Sequence, residues 1–189
     1  MTGCGLPDEE FQRVLCAAQA GAEWAVATLY RERQPGLIRY LRARGAPDAD
    51  DVASDVWLDV ARSLGRFEGG ESDFRRWLFT LAHRRLVDAT RREARRRTAP
   101  VPTEALAAVP AASDTEAEAL GGIASEAALR EIAALPRDQA EVVLLRVVAG
   151  LSADDVAALM GKRPGTIRVL QHRALARLAK TAVRLHVTL

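Results

Sequence analysis

The stretch LSADDVAALMGKRPGTIR, residues 151–168, decides how this chain is read. Ser152 offers a side-chain oxygen just ahead of an apolar-periodic run, with Asp155 three residues later. That is a capping box with Asp in place of the usual Glu. Val156, Leu159 and Met160 fall on one helical face, and Ala157 is small where two helices would cross. Gly161 supplies a left-handed turn, and Pro164 suits the first position of a second helix, expected to run to about Arg184. The pattern is a helix-turn-helix. On a wheel centred at Ile167, Leu170, Ala174 and Leu178 lie within about 60° of the core direction at 100° per residue. The far side carries Gly165, Thr166, Val169, His172, Arg173 and Ala176, with Arg168 at its edge. A face of small, basic and hydrogen-bonding groups suits a DNA major groove. Lys162, Arg163, Arg177 and Lys180 would neutralise phosphates beside it.

Working outward, helices are expected over 123–134 and 137–149, the latter closed by Gly150. Residues 98–121 differ in kind: Pro100, Pro102 and Pro110, many Ala, and acids including Glu104, Asp114, Glu116 and Glu118 without a base. This is the composition of a flexible linker. Upstream, apolar positions at helical spacing mark 8–19 and 22–44. A break at Gly45–Asp48 follows, with Asp48 as a cap, then a helix over 49–64 carrying Val52, Val56, Val60 and Leu64. Gly65–Asp73 reads as a loop, and Phe74 to about Arg97 as a long helix whose stripe is Phe74, Trp77, Leu78, Leu81, Leu86 (or Arg85 beside it) and Val87. The predicted architecture is all-α. Two helical domains, 8–97 and 122–185, are joined by a flexible acidic linker over 98–121, and the second contains the helix-turn-helix.

Composition narrows the function. The chain has 189 residues, of which 49% are hydrophobic, 28% charged and 5% aromatic. No run of about 18 apolar residues is present, so no membrane insertion is expected. Residues 1–10 lack a secretory pattern, so a cytoplasmic protein is expected. Cys4 and Cys16 make no disulfide framework. His83, His172 and His186 are dispersed in basic segments, and no phosphate-cradling glycine loop appears. No catalytic or metal residues, no cofactor and no small-molecule substrate are therefore expected. Charge alternates along the chain: 46–60 is acidic, 75–97 holds nine Arg against two acids, and from Val156 onward there are seven bases and no acid. Two separated basic segments fit a polyanion touched in two places. Arg outnumbers Lys 25 to 2 and Ala is abundant, which points to a GC-rich bacterial genome.

The first half sharpens the picture. Asp51-Val52-Ala53-Ser54-Asp55-Val56-Trp57-Leu58, then Gly65-Arg66-Phe67-Glu68-Gly69-Gly70, then Phe74-Arg75-Arg76-Trp77-Leu78-Phe79-Thr80-Leu81-Ala82 resembles the first domain of extracytoplasmic-function sigma factors of bacterial RNA polymerase. Leu135-Pro136, with Gly165-Thr166-Ile167-Arg168 and His172-Arg173-Ala174, resembles their second domain. The resemblance covers about 150 residues, in the family's order. It implies a subunit that binds core polymerase (β and β′ subunits) and promoter DNA, with an anti-sigma factor as inhibitory partner. Asp51, Val52, Asp55, Val56 and Trp57 would dock on a basic coiled coil of the largest subunit, and Ser54 stands where the family carries Gln. Phe67, Gly69, Gly70 and Ser72 fall in the loop that captures a flipped −10 base. His83, Arg84, Asp88, Arg91 and Arg92 fall where the −10 strand is read or anchored, Arg84 standing for a usual Asn. Arg75, Arg76, Arg92 and Arg95–Arg97 read as phosphate contacts. Arg163, Thr166, Arg168, Val169, His172 and Arg173 would read the −35 element, and the linker acids would run toward the RNA exit path. In the free chain the two domains are expected to fold against each other or against an anti-sigma protein. Two other classes compete: a helix-turn-helix regulator whose N-terminal helices serve dimerisation or ligand sensing, and a polymerase-binding protein without promoter selectivity.

Overall fold

A computed structural model describes residues 8–98 and 127–187, with side chains over 8–96 and 127–181. The linker from residue 99, Cys4, the helix start expected at Ile123, and the side chains of Arg97, Arg184 and His186 lie outside the described residues.

Helix α1 (Asp8–Gln19) turns Phe11, Val14, Leu15 and Ala18 inward against α2 (Glu23–Ala43). The second helix runs through Pro35, as its apolar spacing predicts. Asp48 then caps α3 (Ala49–Ser63), its carboxylate accepting from the amides of Asp50 and Asp51, both at 3.0 Å. Val52, Val56, Val60 and Leu64, at spacing four, are all buried. A 3-10 turn (Leu64–Arg66) follows. Helix α4 (Glu71–Thr98) starts three residues earlier than expected. The reason is local: the Asp73 carboxylate reaches back to the Gly70 amide at 3.1 Å and satisfies a donor of the first turn. Ser72, expected in the loop, therefore sits exposed in that turn. These four helices form the first unit, with α3 lying along α4 and α2.

The second unit comprises α5 (127–133), α6 (Arg137–Val143), a π-helical turn (Leu144–Val148), α7 (Ala153–Met160) and α8 (Pro164–Val187). The expected single helix over 137–149 thus widens into a π turn in its second half. Helix α8 packs on α6 and α7. No strand occurs among the described residues, and none of their helices is long and apolar enough to cross a membrane. The units touch where the π turn meets α2: a Cβ on Gly36 would lie 3.9 Å from the Val148 carbonyl oxygen.

Candidate nucleic-acid interface

The helix-turn-helix forms as its residues dictate. The Ser152 hydroxyl accepts from the Asp155 amide at 3.0 Å, and the Asp155 carboxylate receives the Ser152 amide at 3.3 Å. Burial alone would raise the Asp155 carboxyl, but hydrogen bonds from Ser152 and Arg76 outweigh it and hold the group below the usual range. Gly161 has φ +63° and ends α7 in the left-handed conformation, where a side chain would be strained. The turn aims α8 so that Ile167 and Ala174 are fully buried, with Leu170 and Leu178 half-buried. Arg163, Thr166, Arg168, Val169, His172 and Arg173 are all exposed. Gln171 sits at the edge of the buried face and accepts from Arg146 Nε at 3.2 Å. Lys162 is drawn into an ion pair with Asp138 at 3.0 Å.

The loop before α4 is walled by aromatic rings. Phe67 stacks on Trp77 with centroids 5.0 Å apart and meets Phe74 edge-on at 5.5 Å. Phe67 and Trp77 are half-buried, so each ring is committed mainly to this cluster. Gly69 has φ +139°, and a Cβ there would lie 2.7 Å from the Asp73 Cβ, so only glycine fits. Helix α1 braces the loop from below. Gln19 Nε2 donates to the carbonyls of Leu64 at 3.0 Å and Phe67 at 2.8 Å, and Gln12 Nε2 donates to Gly69 at 2.9 Å. The sequence reading missed these glutamines, because nothing local links residue 12 or 19 to a turn some fifty residues away. With about 1 kcal/mol net per hydrogen bond, Gln19→Ala should cost about 1–2 kcal/mol. Amides 67–70 should exchange with solvent about tenfold faster, while the α8 amides keep their rates; native-state hydrogen exchange measures both.

Along α4, Arg84, Asp88, Arg91 and Arg92 are exposed. Other basic side chains of α4 are engaged within the fold. Arg75 pairs with Glu71 at 2.7 Å, and Glu71 also holds the buried Arg33. Arg76 bonds Asp73 at 2.8 Å and Asp155 at 3.2 Å. Arg85 grips Asp59 through Nε at 2.6 Å, a bond that leads the lowering of the Asp59 carboxyl. His83, expected on the DNA side, is half-buried. Its Nδ1 lies 3.3 Å from both the Tyr40 hydroxyl and Glu141 Oε1.

On α3 one correction is needed. Val52 and Val56 are 5% and 0% exposed, so they belong to the core and have no surface to offer a partner; at spacing four they hold α3 in place. Asp51 is exposed, and Asp55 stands 4.0 Å from Arg92. Trp57 is half-buried, meets the Tyr30 ring at a tilt with centroids 5.1 Å apart, and donates from Nε1 to Gln34 Oε1 at 2.7 Å. Ser54 spends its hydroxyl on the Asp50 carbonyl of its own helix. The outer side of α3 thus presents Asp51 and Asp55 with Leu58, 52% exposed, and Tyr30 lies alongside at 43%. Leu58 had a legible signal, lying seven residues from Asp51 on the same face.

Comparison with known proteins agrees with this arrangement. A profile described as Sigma-70 region 2 matches residues 29–96, and one described as Sigma-70, region 4 matches residues 125–178. The chain is 35% identical over 178 residues to the ECF RNA polymerase sigma factor SigD of Mycobacterium tuberculosis, covering 90% of this chain and 82% of that one. It is 34% identical over 165 residues to the ECF sigma factor BldN of Streptomyces coelicolor, covering 86% and 62%. Among solved structures, CnrH in complex with the cytosolic domain of CnrY shares the fold with a TM-score of 0.60 at 21% identity, over 92% of this chain and 97% of that one. Identity of this extent along nearly the whole length, with regions 2 and 4 matched in order on an all-helical fold, makes the chain a member of the extracytoplasmic-function RNA polymerase sigma factors of the sigma-70 family.

Proposed function

We propose that this sigma factor brings core RNA polymerase to its promoters by reading two elements in two states: the −35 element as duplex, and the −10 element as a melted strand. In this reading α8 enters the major groove at −35 with Arg163, Thr166, Arg168, Val169, His172 and Arg173. The single observation that carries it is that these six side chains are exposed while Ile167 and Ala174 of the same helix are fully buried. At −10, the Phe67–Gly70 loop would take an extruded base, with Arg84, Asp88, Arg91 and Arg92 along the strand. Asp51 and Asp55, beside Leu58 and Trp57, would dock on a basic surface of the polymerase. The domain limits 8–97 and 122–185 belong to this proposal. So does a non-catalytic role in the cytoplasm, in which the polymerase performs the chemistry. An anti-sigma partner is proposed because the structure of the sigma factor RpoE from Bartonella quintana was solved with the anti-sigma factor NepR.

The test is transcription in vitro with purified core polymerase and genomic fragments. Adding the chain should produce specific transcripts. Each lost base contact costs about 1–3 kcal/mol, so Arg168→Ala with His172→Ala should reduce those transcripts about a hundredfold or more. Unchanged promoter choice on adding the wild-type chain would refute the proposal.

A further inference from the structure

Glu71, the first residue of α4, is a buried acid of the first unit. Its Oε1 accepts from Arg33 Nη2 of α2 at 2.5 Å, and its Oε2 from Arg75 Nη2, one turn on, at 2.7 Å. The Arg33 side chain is only 6% exposed. An acid in a first turn suits the helix dipole, but an exposed one would serve the dipole as well. Burial of both charges costs desolvation that their attraction barely offsets, so the pair is a poor source of stability. What it supplies is direction. A guanidinium is a rigid planar fork that fixes the carboxylate it grips, whereas apolar contact is non-directional.

The place of Glu71 in the chain gives that direction a use, because it follows directly on the Phe67–Gly70 loop. Two successive glycines, Gly69 and Gly70, admit many backbone shapes, so the pose of the loop is imposed by what holds its ends. On one side α1 holds it, through Gln19 on the Leu64 and Phe67 carbonyls and Gln12 on the Gly69 carbonyl. On the other side Gly70 is fixed to α4. Its amide donates to the Asp73 carboxylate at 3.1 Å, and its carbonyl accepts from the Phe74 amide at 3.0 Å. Where α4 begins therefore decides where Gly70 stands, and Arg33 holds that beginning against α2.

We infer that Glu71 is a positioning residue for base capture: gripped by Arg33, it locks the start of α4 at one height and angle and so sets the gap of the Phe67–Gly70 loop that admits the −10 base. Being buried, Glu71 acts through the loop and touches no base itself. The inference rests on the reading of this loop as the one that takes an extruded base. It adds the reason for a buried charge under an exposed turn.

The test uses holoenzyme and a promoter fragment recovered from the transcription assay. Fragments carrying 2-aminopurine at successive −10 positions locate the extruded base, which brightens when it leaves the stack. Discrimination is the ratio of affinities for the natural base and for a substituted base at that position. Glu71→Gln should lower this ratio about tenfold, the scale of one lost base contact. Binding to core polymerase, and the loss of affinity on scrambling the −35 element, should stay at wild-type values. Arg33→Met with Glu71→Met separates position from stability. It leaves no unpaired buried charge between the two sites, and such apolar replacements are often neutral for folding; Arg75, 22% exposed, can turn to water. This pair should melt near wild type and still discriminate poorly. Should either variant lose its helices by circular dichroism, Arg33→Lys, which keeps the charge without the fork, must lower discrimination in the same direction. A folded apolar pair that discriminates like wild type overturns the inference, leaving Glu71 a stabilising residue only. Equal losses at −10 and −35 overturn it too. A wild-type holoenzyme without base preference at any −10 position would instead refute the base-capture reading, and this inference with it.

Discussion

A chain carrying Asp51→Arg and Asp55→Arg should keep its helical content and fail to co-purify with core RNA polymerase. Both carboxylates lie on the outer side of α3, and neither supports the core. The double change reverses two charges on the proposed docking face. Close charge pairs across an interface couple by about 1.5–7 kcal/mol, so reversing two of them should lower polymerase affinity a hundredfold or more. The cost to folding is much smaller. Arg at position 51 forfeits a favourable acid in the first turn of α3, worth about 0.3–1 kcal/mol. Arg at position 55 gives up the 4.0 Å contact with Arg92, an exposed pair worth about 1 kcal/mol or less. Pull-down on tagged polymerase, with a thermal melt of the same preparation, separates the two effects. Normal co-purification would overturn the docking assignment.

The largest loss of stability should follow Phe74→Ala. This ring is fully buried and meets three others: Phe11 at 5.6 Å, Phe67 at 5.5 Å and Trp77 at 5.6 Å. Truncating a core Phe costs about 3–5 kcal/mol. For a chain of this size each kcal/mol lowers the melting temperature by about 2–4 °C, so a fall of roughly 6–20 °C is expected. Phe74 also ties α1 to the wall of the Phe67–Gly70 loop, so at temperatures where the variant is still folded the loop should be cut faster by protease than in wild type. A melting temperature within a degree or two of wild type would show that the aromatic cluster does not hold the helices of the first unit together.

The two effects differ in how visible they are in the primary structure. Caps and turns are contacts between neighbours: Asp48 with the amides of Asp50 and Asp51, Ser152 with Asp155, Gly161 with its left-handed φ. Residue type alone implies them. The outward set on α8 is equally legible, since a 100° step per residue sorts Ile167 and Ala174 from Arg168 and His172 without reference to any other helix. The order of the two matched regions likewise needs no coordinates.

What the amino-acid sequence by itself determined was therefore the helices, their caps, the helix-turn-helix and the stripe of side chains that shares each face. Only the tertiary structure decided which stripe meets which. It turned Val52 and Val56 inward, closed Arg75 on Glu71 and Arg85 on Asp59, set Gln12 and Gln19 under a distant loop, and brought Glu141 to Tyr40, 101 positions away. Helical periodicity is a local property of the backbone. The partner of a long polar side chain depends on how whole helices dock, and docking is set by the fit of their apolar faces across the folded chain.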